Sequence, residues 1–301
     1  MADIGKSLHL SAIETKYRFC YYLYMKKFII CMMFIASAAL AAAIPSLTKK
    51  EIETIEKIID DRISFTCYSN EEALSKAQTY LADVSAEAVK NGYSEQANII
   101  IDNMLATQIH SHMYEINPKD KKIKEMLLPK IERDIKWIDD HKKDSGISAY
   151  IYYTTAEVIS CGLSFMSLTE ILSYGLKIYD FFAKAIELDP SLALAYSGIG
   201  QWYYHAPAIS GGSTKKAYAN FELAYQNATL KGEKFMANIY MSQMSYDQKK
   251  YDKAKEYLAA AEAIMPGTRL LKYIRKLNDA GYTYLYYTAN REKVEKKIGT
   301  M

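Results

Sequence analysis

Residues 193–224 read ALAYSGIGQWYYHAPAISGGSTKKAYANFELA. The first part sets Tyr196, Ile199-Gly200 and Tyr203 at offsets of three and four, and the last part does the same with Ala217, Phe221 and Ala224. Residues three and four apart share one helix face, so each part reads as a helix with a single apolar stripe. Gly200 and the alanines let two such helices approach closely, while the bulky residues fill the gaps between them. Pro207 ends the first helix because it lacks an N–H and restricts the residue before it. The stretch is a helical hairpin.

Outward from that hairpin the stripe recurs. Ile178, Phe182 and Ala185 precede Pro190, and Ala254, Leu258 and Ala261 precede Pro266. The three stripes start 39 and then 37 residues apart. That is the tetratricopeptide period of about 34 residues with short insertions. The expected fold is all-α, with tetratricopeptide-like helical hairpins stacked as a short solenoid or bundle and the clearest repeats over 162–266. In the outer two units Gly162 and Asn238 stand where a first helix usually carries an aromatic. Upstream, Ala106, His110, Met113 and Pro118 repeat the offsets, which predicts a degenerate first hairpin over 70–118 split at Asn91-Gly92. Lys121 to His141 and Ser148 to Leu163 read as two more helices, and Arg269 to Leu277 as a closing helix. Residues 281–301 read as an aromatic, then basic, tail of no assigned structure. Degenerate ends suit a capped repeat array, so residues 44–301 are expected to form one domain.

Composition agrees. A chain of 301 residues, half of them hydrophobic, buries enough core to fold without metal or disulfide staples, so no cofactor is expected. The 27 tyrosines supply amphipathic rings for helix faces and binding surfaces alike.

The N-terminus reads differently. Met25-Lys26-Lys27, the apolar run Phe28 to Leu40 and Ala39-Leu40-Ala41 form a basic region, a hydrophobic region and an A-x-A cleavage pattern. Residues 25–43 are therefore expected to be a signal peptide, with residues 1–24 an upstream extension of no structural meaning. The exported chain would begin near Ala42 or Ile44 and be periplasmic or otherwise exported. An uncleaved anchor is the alternative, and only through it would the chain contact a membrane. Cys31 follows Phe28-Ile29-Ile30, which is no lipobox. Removing residues 1–43 takes away five of the 38 basic and two of the 35 acidic residues, leaving 33 of each. A balanced chain lacks the basic face of a nucleic-acid binder. Cys67 and Cys161 remain, as a pair or as free thiols.

Catalytic patterns are sparse. There is no Cys-x-x-Cys, His-Glu-x-x-His, Gly-x-Ser-x-Gly or P-loop, and Gly211-Gly212-Ser213-Thr214-Lys215-Lys216 lacks the strand and first Gly of a phosphate loop. His110 and His112 point about 200 degrees apart on a helix, so they do not share a metal, and His110 reads as a packed, hydrogen-bonded histidine. The chain is expected not to be an enzyme. The unusual feature is the loop after Trp202-Tyr203-Tyr204-His205, where Pro207 and Gly211-Gly212 replace a tight turn with one about five residues longer than the period requires. Two readings stay open. The loop is an elbow whose aromatics finish the helix packing, or a rim that presents Trp202, Tyr204 and His205 to a ligand.

The aromatic helix end, Ala206-Pro207, Gly211-Gly212 and the following Lys216-Ala217 with Phe221 and Ala224 resemble the T components of TRAP transporters, the TatT-like periplasmic tetratricopeptide proteins. The likeness is best over residues 169–282. It implies a periplasmic accessory protein that associates with a solute-binding protein of a transporter. The missing lipobox departs from the lipid-anchored members. The leading expectation is a scaffold that holds a partner protein or a small hydrophobic solute; homo-oligomer formation stays open. The alternative is a general cell-envelope interaction module without a transport role. A third class, a hydrolase of envelope polymers, would need a carboxylate pair in a cleft.

Overall fold

A reciprocal cap starts the first helix. The Thr48 hydroxyl accepts from the Glu51 N–H, and the Glu51 carboxylate accepts from the Thr48 N–H. The computed structural model describes residues 44–299, and among them are thirteen α-helices and no strand. The signal segment and upstream extension expected at 1–43 lie outside the described residues.

In chain order the helices are α1 (Lys49–Arg62), α2 (Asn70–Asn91), α3 (Glu95–Ile116), α4 (Lys121–His141) and α5 (Ala149–Gly162). There follow α6 (Leu168–Leu188), α7 (Ala193–His205), α8 (Thr214–Asn227), α9 (Lys231–Asp247) and α10 (Tyr251–Ile264). The last three are α11 (Arg269–Asp279), α12 (Tyr284–Ala289) and α13 (Arg291–Ile298). A short 3-10 turn, Ile63–Cys67, continues α1.

The helices form two layers. The inner layer is α3, α5, α7 and α9 packed side by side, and the outer layer is α2, α4, α6, α8 and α10, each against its inner neighbours. Burial follows the layers. In α9, Phe235 and every residue from Ala237 to Ser245 are buried, whereas α8 buries only Ala217, Phe221 and Ala224. α6 buries only Ile178, Phe182 and Ala185, and α10 only Ala254, Leu258 and Ala261. Asp189 and Met265, the residues before Pro190 and Pro266, are extended and end α6 and α10. The structure is thus an all-α stack of helical hairpins.

The predicted hairpin over 70–118 is present as α2 and α3, split at Asn91-Gly92. Three features of the chain ends go beyond the sequence reading. Firstly, α3 belongs to the inner layer and buries Ile99, Ile100, Ile101, Met104, Leu105 and Ile109 as well as Ala106. Secondly, residues 281–298 are a folded closure rather than an unassigned tail. Val294 and Tyr287 are buried against Tyr273 and Leu277. Arg291 reaches from α13 to the end of α3, where it pairs with Glu115 at 2.9 Å and donates to the Tyr114 carbonyl at 3.3 Å.

Thirdly, α1 has no counterpart in the reading of the sequence. It packs against α3 and α9. The Asp60 carboxylate accepts from the Gly232 N–H at 2.8 Å, capping α9 from another helix. A Cβ on Gly232 would lie 2.1 Å from the Ile59 carbonyl oxygen, so only glycine admits this approach.

Candidate functional site

Between α5, α6, α7 and the loop that follows α7 lies a cavity of about 820 Å³ with mostly apolar walls. Its existence rests on how α6 and α7 are held. A Cβ on Gly198 would sit 2.3 Å from the Phe182 ring, so glycine lets the two helices close on each other. The Trp202 indole N–H donates to the Gly175 carbonyl at 2.7 Å, and its ring lies 4.9 Å from that of Tyr179. Tyr203 donates to the Tyr179 hydroxyl at 3.2 Å. These contacts tie the far end of α7 to the middle of α6.

The loop is closed by its own backbone. The Gly212 N–H donates to the Pro207 carbonyl at 3.1 Å, and the Ser213 N–H donates to the Tyr203 carbonyl at 2.8 Å. Gly211 has φ +97, and a Cβ on Gly212 would sit 1.8 Å from the Ala206 carbonyl oxygen, so both glycines are required by the turn. Ser213 then caps α8. In this sense the loop is an elbow. It also forms a wall of the cavity, through Trp202, His205, Pro207 and Ile209. Tyr203 and Tyr204 pack instead on Ala217 and Phe221, so the singled-out residues divide between two faces. Gly211 and Gly212 shape the turn without lining the cavity.

The cavity mouth is apolar too. Leu172 and Leu176 on α6 and Ile209 on the loop line it and are 66%, 59% and 98% exposed, and Leu168, 80% exposed, lies one turn before Leu172. In the sequence the leucine row shows as an apolar strip at offsets of four beside the Ile178 and Phe182 stripe.

A second cavity, of about 240 Å³, lies among the inner helices, α1 and α11. Its lining is mixed, and the polar part includes Arg62, Gln108, His112, Glu115, Glu157 and Glu233. Glu157, Gly198 and Gln201 line both cavities. Glu115 is paired with Arg291, and burial raises its pKa. Glu233 accepts from the Thr229 and Leu230 N–H groups at 3.0 and 3.1 Å. Glu157 has the loosest attachment, 3.8 Å from Arg62. Neither Arg62 nor Glu157 stood out in the sequence, since each gains meaning only from the packing of α1 beside α5.

His110 and His112 are both held neutral by burial, which pushes each down to about 4. Gln108 and His112 share a hydrogen bond at 2.7 Å. The His110 ring packs on Tyr114 at 5.5 Å, but its Nε2 is buried with no hydrogen-bond partner, which corrects the expectation of a hydrogen-bonded ring. Cys67 and Cys161 are free thiols, and burial pushes Cys161, which lines the large cavity, up to about 12. Among the described residues no group of three or more His, Cys, Asp or Glu is placed to hold a metal ion, and no helix is long and apolar enough to cross a membrane.

The chain matches no protein-family model and no curated protein.

Proposed function

We propose that this chain is an exported, tetratricopeptide-type binding scaffold that holds a small hydrophobic solute between α5, α6 and α7. The observation that carries the reading is the apolar cavity of about 820 Å³ walled by Phe182, Trp202 and Pro207. Ligand pockets commonly enclose about 300–1,000 Å³ and combine apolar walls with a few polar groups, as this one does with Glu157 and Gln201. The T-component resemblance gives the scaffold a place beside a transporter's solute-binding protein, in the periplasm and without catalysis of its own. The acid pair of a hydrolase finds little support, because Glu115 and Glu233 are engaged by Arg291 and by backbone N–H groups.

The exposed leucine row favours a second reading as well. Leu168, Leu172, Leu176 and Ile209 form an apolar strip of the kind that marks interaction surfaces, which suits an envelope protein-interaction module with no transport role. Titration of the purified chain with a neutral, environment-sensitive fluorescent probe separates the two readings. Saturable binding that Leu176→Asp weakens about tenfold or more supports the solute pocket. Leu176 is largely exposed, so its thermal midpoint should hold, as surface changes usually stay within about 0.5 kcal/mol. Probe binding that is absent or unsaturable would sink the solute reading and leave the interaction module.

A further inference from the structure

Glu157 is the only Asp, Glu, Lys or Arg among the residues lining the apolar cavity. It stands at the boundary with the smaller, mixed chamber, which it also lines. Arg62 comes no closer than 3.8 Å to Glu157 Oε2, beyond hydrogen-bond reach. That same oxygen is buried and has no hydrogen-bond partner. Two of the guanidinium nitrogens are engaged elsewhere, Nε donating to Gln108 at 3.2 Å and Nη2 to Thr107 at 3.3 Å, while Nη1 is the one nearest Glu157. Arg62 lines the chamber but not the apolar cavity, so the carboxylate is the charge that a molecule in the cavity meets.

The neighbouring polar groups point the same way. Ser160 donates its hydrogen to the Ala156 carbonyl at 2.8 Å, which leaves its oxygen lone pairs for the cavity. Trp202 already gives its N–H to Gly175. Gln201 and His205 also line the cavity and can donate or accept, so Glu157 supplies its one carboxylate. Tyr153 donates to the Glu157 carboxylate, and in a low-dielectric pocket an incoming anion beside that carboxylate is repelled more strongly than in water.

Resting on the solute-pocket reading above, we propose that the preferred ligand is an amphiphile with a cationic, hydrogen-bond-donating end such as an ammonium. Its apolar body lies against Leu172, Leu176, Phe182 and Trp202, and its donor reaches the Glu157 carboxylate. Selectivity then comes from charge at the floor, while affinity comes from the apolar walls.

The experiment is competition for the neutral fluorescent probe at pH 8, where an exposed histidine such as His205 is uncharged. The competitors are dodecylamine, dodecanol and dodecanoate, offered to the purified chain and to Glu157→Gln. Dodecylamine is expected to compete about tenfold or more better than dodecanoate, with dodecanol between them. In Glu157→Gln the amine preference should shrink to about twofold or less while dodecanol competes as before. Dodecanoate competing as well as dodecylamine would overturn the charge assignment and leave the pocket intact. So would a preference that survives in the folded Gln variant. A probe that binds but yields to none of the three overturns the amphiphile assignment, whereas a probe that does not bind at all overturns the solute-pocket reading beneath it. The ordering in the unmodified chain decides the matter even if the variant does not fold.

Discussion

Phe221 is fully buried and stacks on Tyr240 with ring centroids 4.7 Å apart and planes 7° apart. Its ring fills the space that a Cβ on Gly200 would enter at 2.6 Å, so the Phe and the Gly are one fitted pair. Phe221→Ala should cost about 3–5 kcal/mol, read as a lower denaturant midpoint. An unchanged midpoint would contradict this packing. In the loop after α7, adjacent residues should behave oppositely. Tyr204 is half-buried beside Phe221, so Tyr204→Ala should lower the thermal midpoint and spare probe binding. His205 is exposed and lines the cavity, so His205→Ala should weaken probe binding and leave the midpoint nearly unchanged. His110 and His112 set a pH limit. Their folded pKa of about 4 lies below the ordinary 6.5, so the unfolded chain takes up more protons between those values. Stability should be full above pH 6.5 and fall as pH drops toward 4, by on the order of 3 kcal/mol for each histidine. Denaturant titrations at several pH values check it, and His112→Gln should flatten part of the slope.

Among the elements, the outer helices were legible because each buries one stripe and ends at a residue with a local reason to stop. Gly92 ends α2 in the left-handed conformation, and the residues before Pro190 and Pro266 are extended. The α2–α3 hairpin was legible from its split at Asn91-Gly92, whereas the place of α3 in the inner layer was not, because Asn103, Thr107 and Gln108 are buried beside its apolar residues. Helix α1 was readable in principle, from Thr48 and Glu51 as a capping box. Its position was not, because docking on α9 depends on Asp60 and Gly232 meeting from distant parts of the chain. Gly232→Ala should free α1, and hydrogen exchange would then rise across residues 49–62 while the α7–α8 hairpin stays protected. Equal protection in both proteins would show that α1 tolerates the substitution. The closing helix has a comparable anchor. Arg291 and Glu115 have side chains 12% and 15% exposed. Removing one partner of such a pair leaves an uncompensated charge, so Arg291→Ala should cost about 3–5 kcal/mol if the pair behaves as fully buried. A loss well below that would assign closure to the tyrosine packing around Tyr287 instead.

At the scale of the molecule, the layers leave two adjoining cavities, one mostly apolar and one mixed, and the candidate site lies where they meet at Glu157, Gly198 and Gln201. A ligand that binds the folded chain alone raises its stability by about 2.7 kcal/mol at a hundred times its dissociation constant. Dodecylamine should therefore raise the thermal midpoint of the parent chain and do so less for Glu157→Gln. The all-α class, the outer-helix stripes and the hairpin boundaries over 162–266 were legible in the sequence. Helical periodicity and Pro or Gly stops are properties of neighbouring residues, and they need no knowledge of the rest of the chain. Trp202, His205 and Pro207 were singled out for an unusual insertion, which is a local signal too, although the division of the aromatics between cavity and core was not visible. The docking of α1, the closure by Arg291 and the setting of the Glu157 carboxylate between two cavities were decided by the tertiary structure alone. Each depends on groups far apart in the chain being brought together and desolvated, and no spacing within one segment records that.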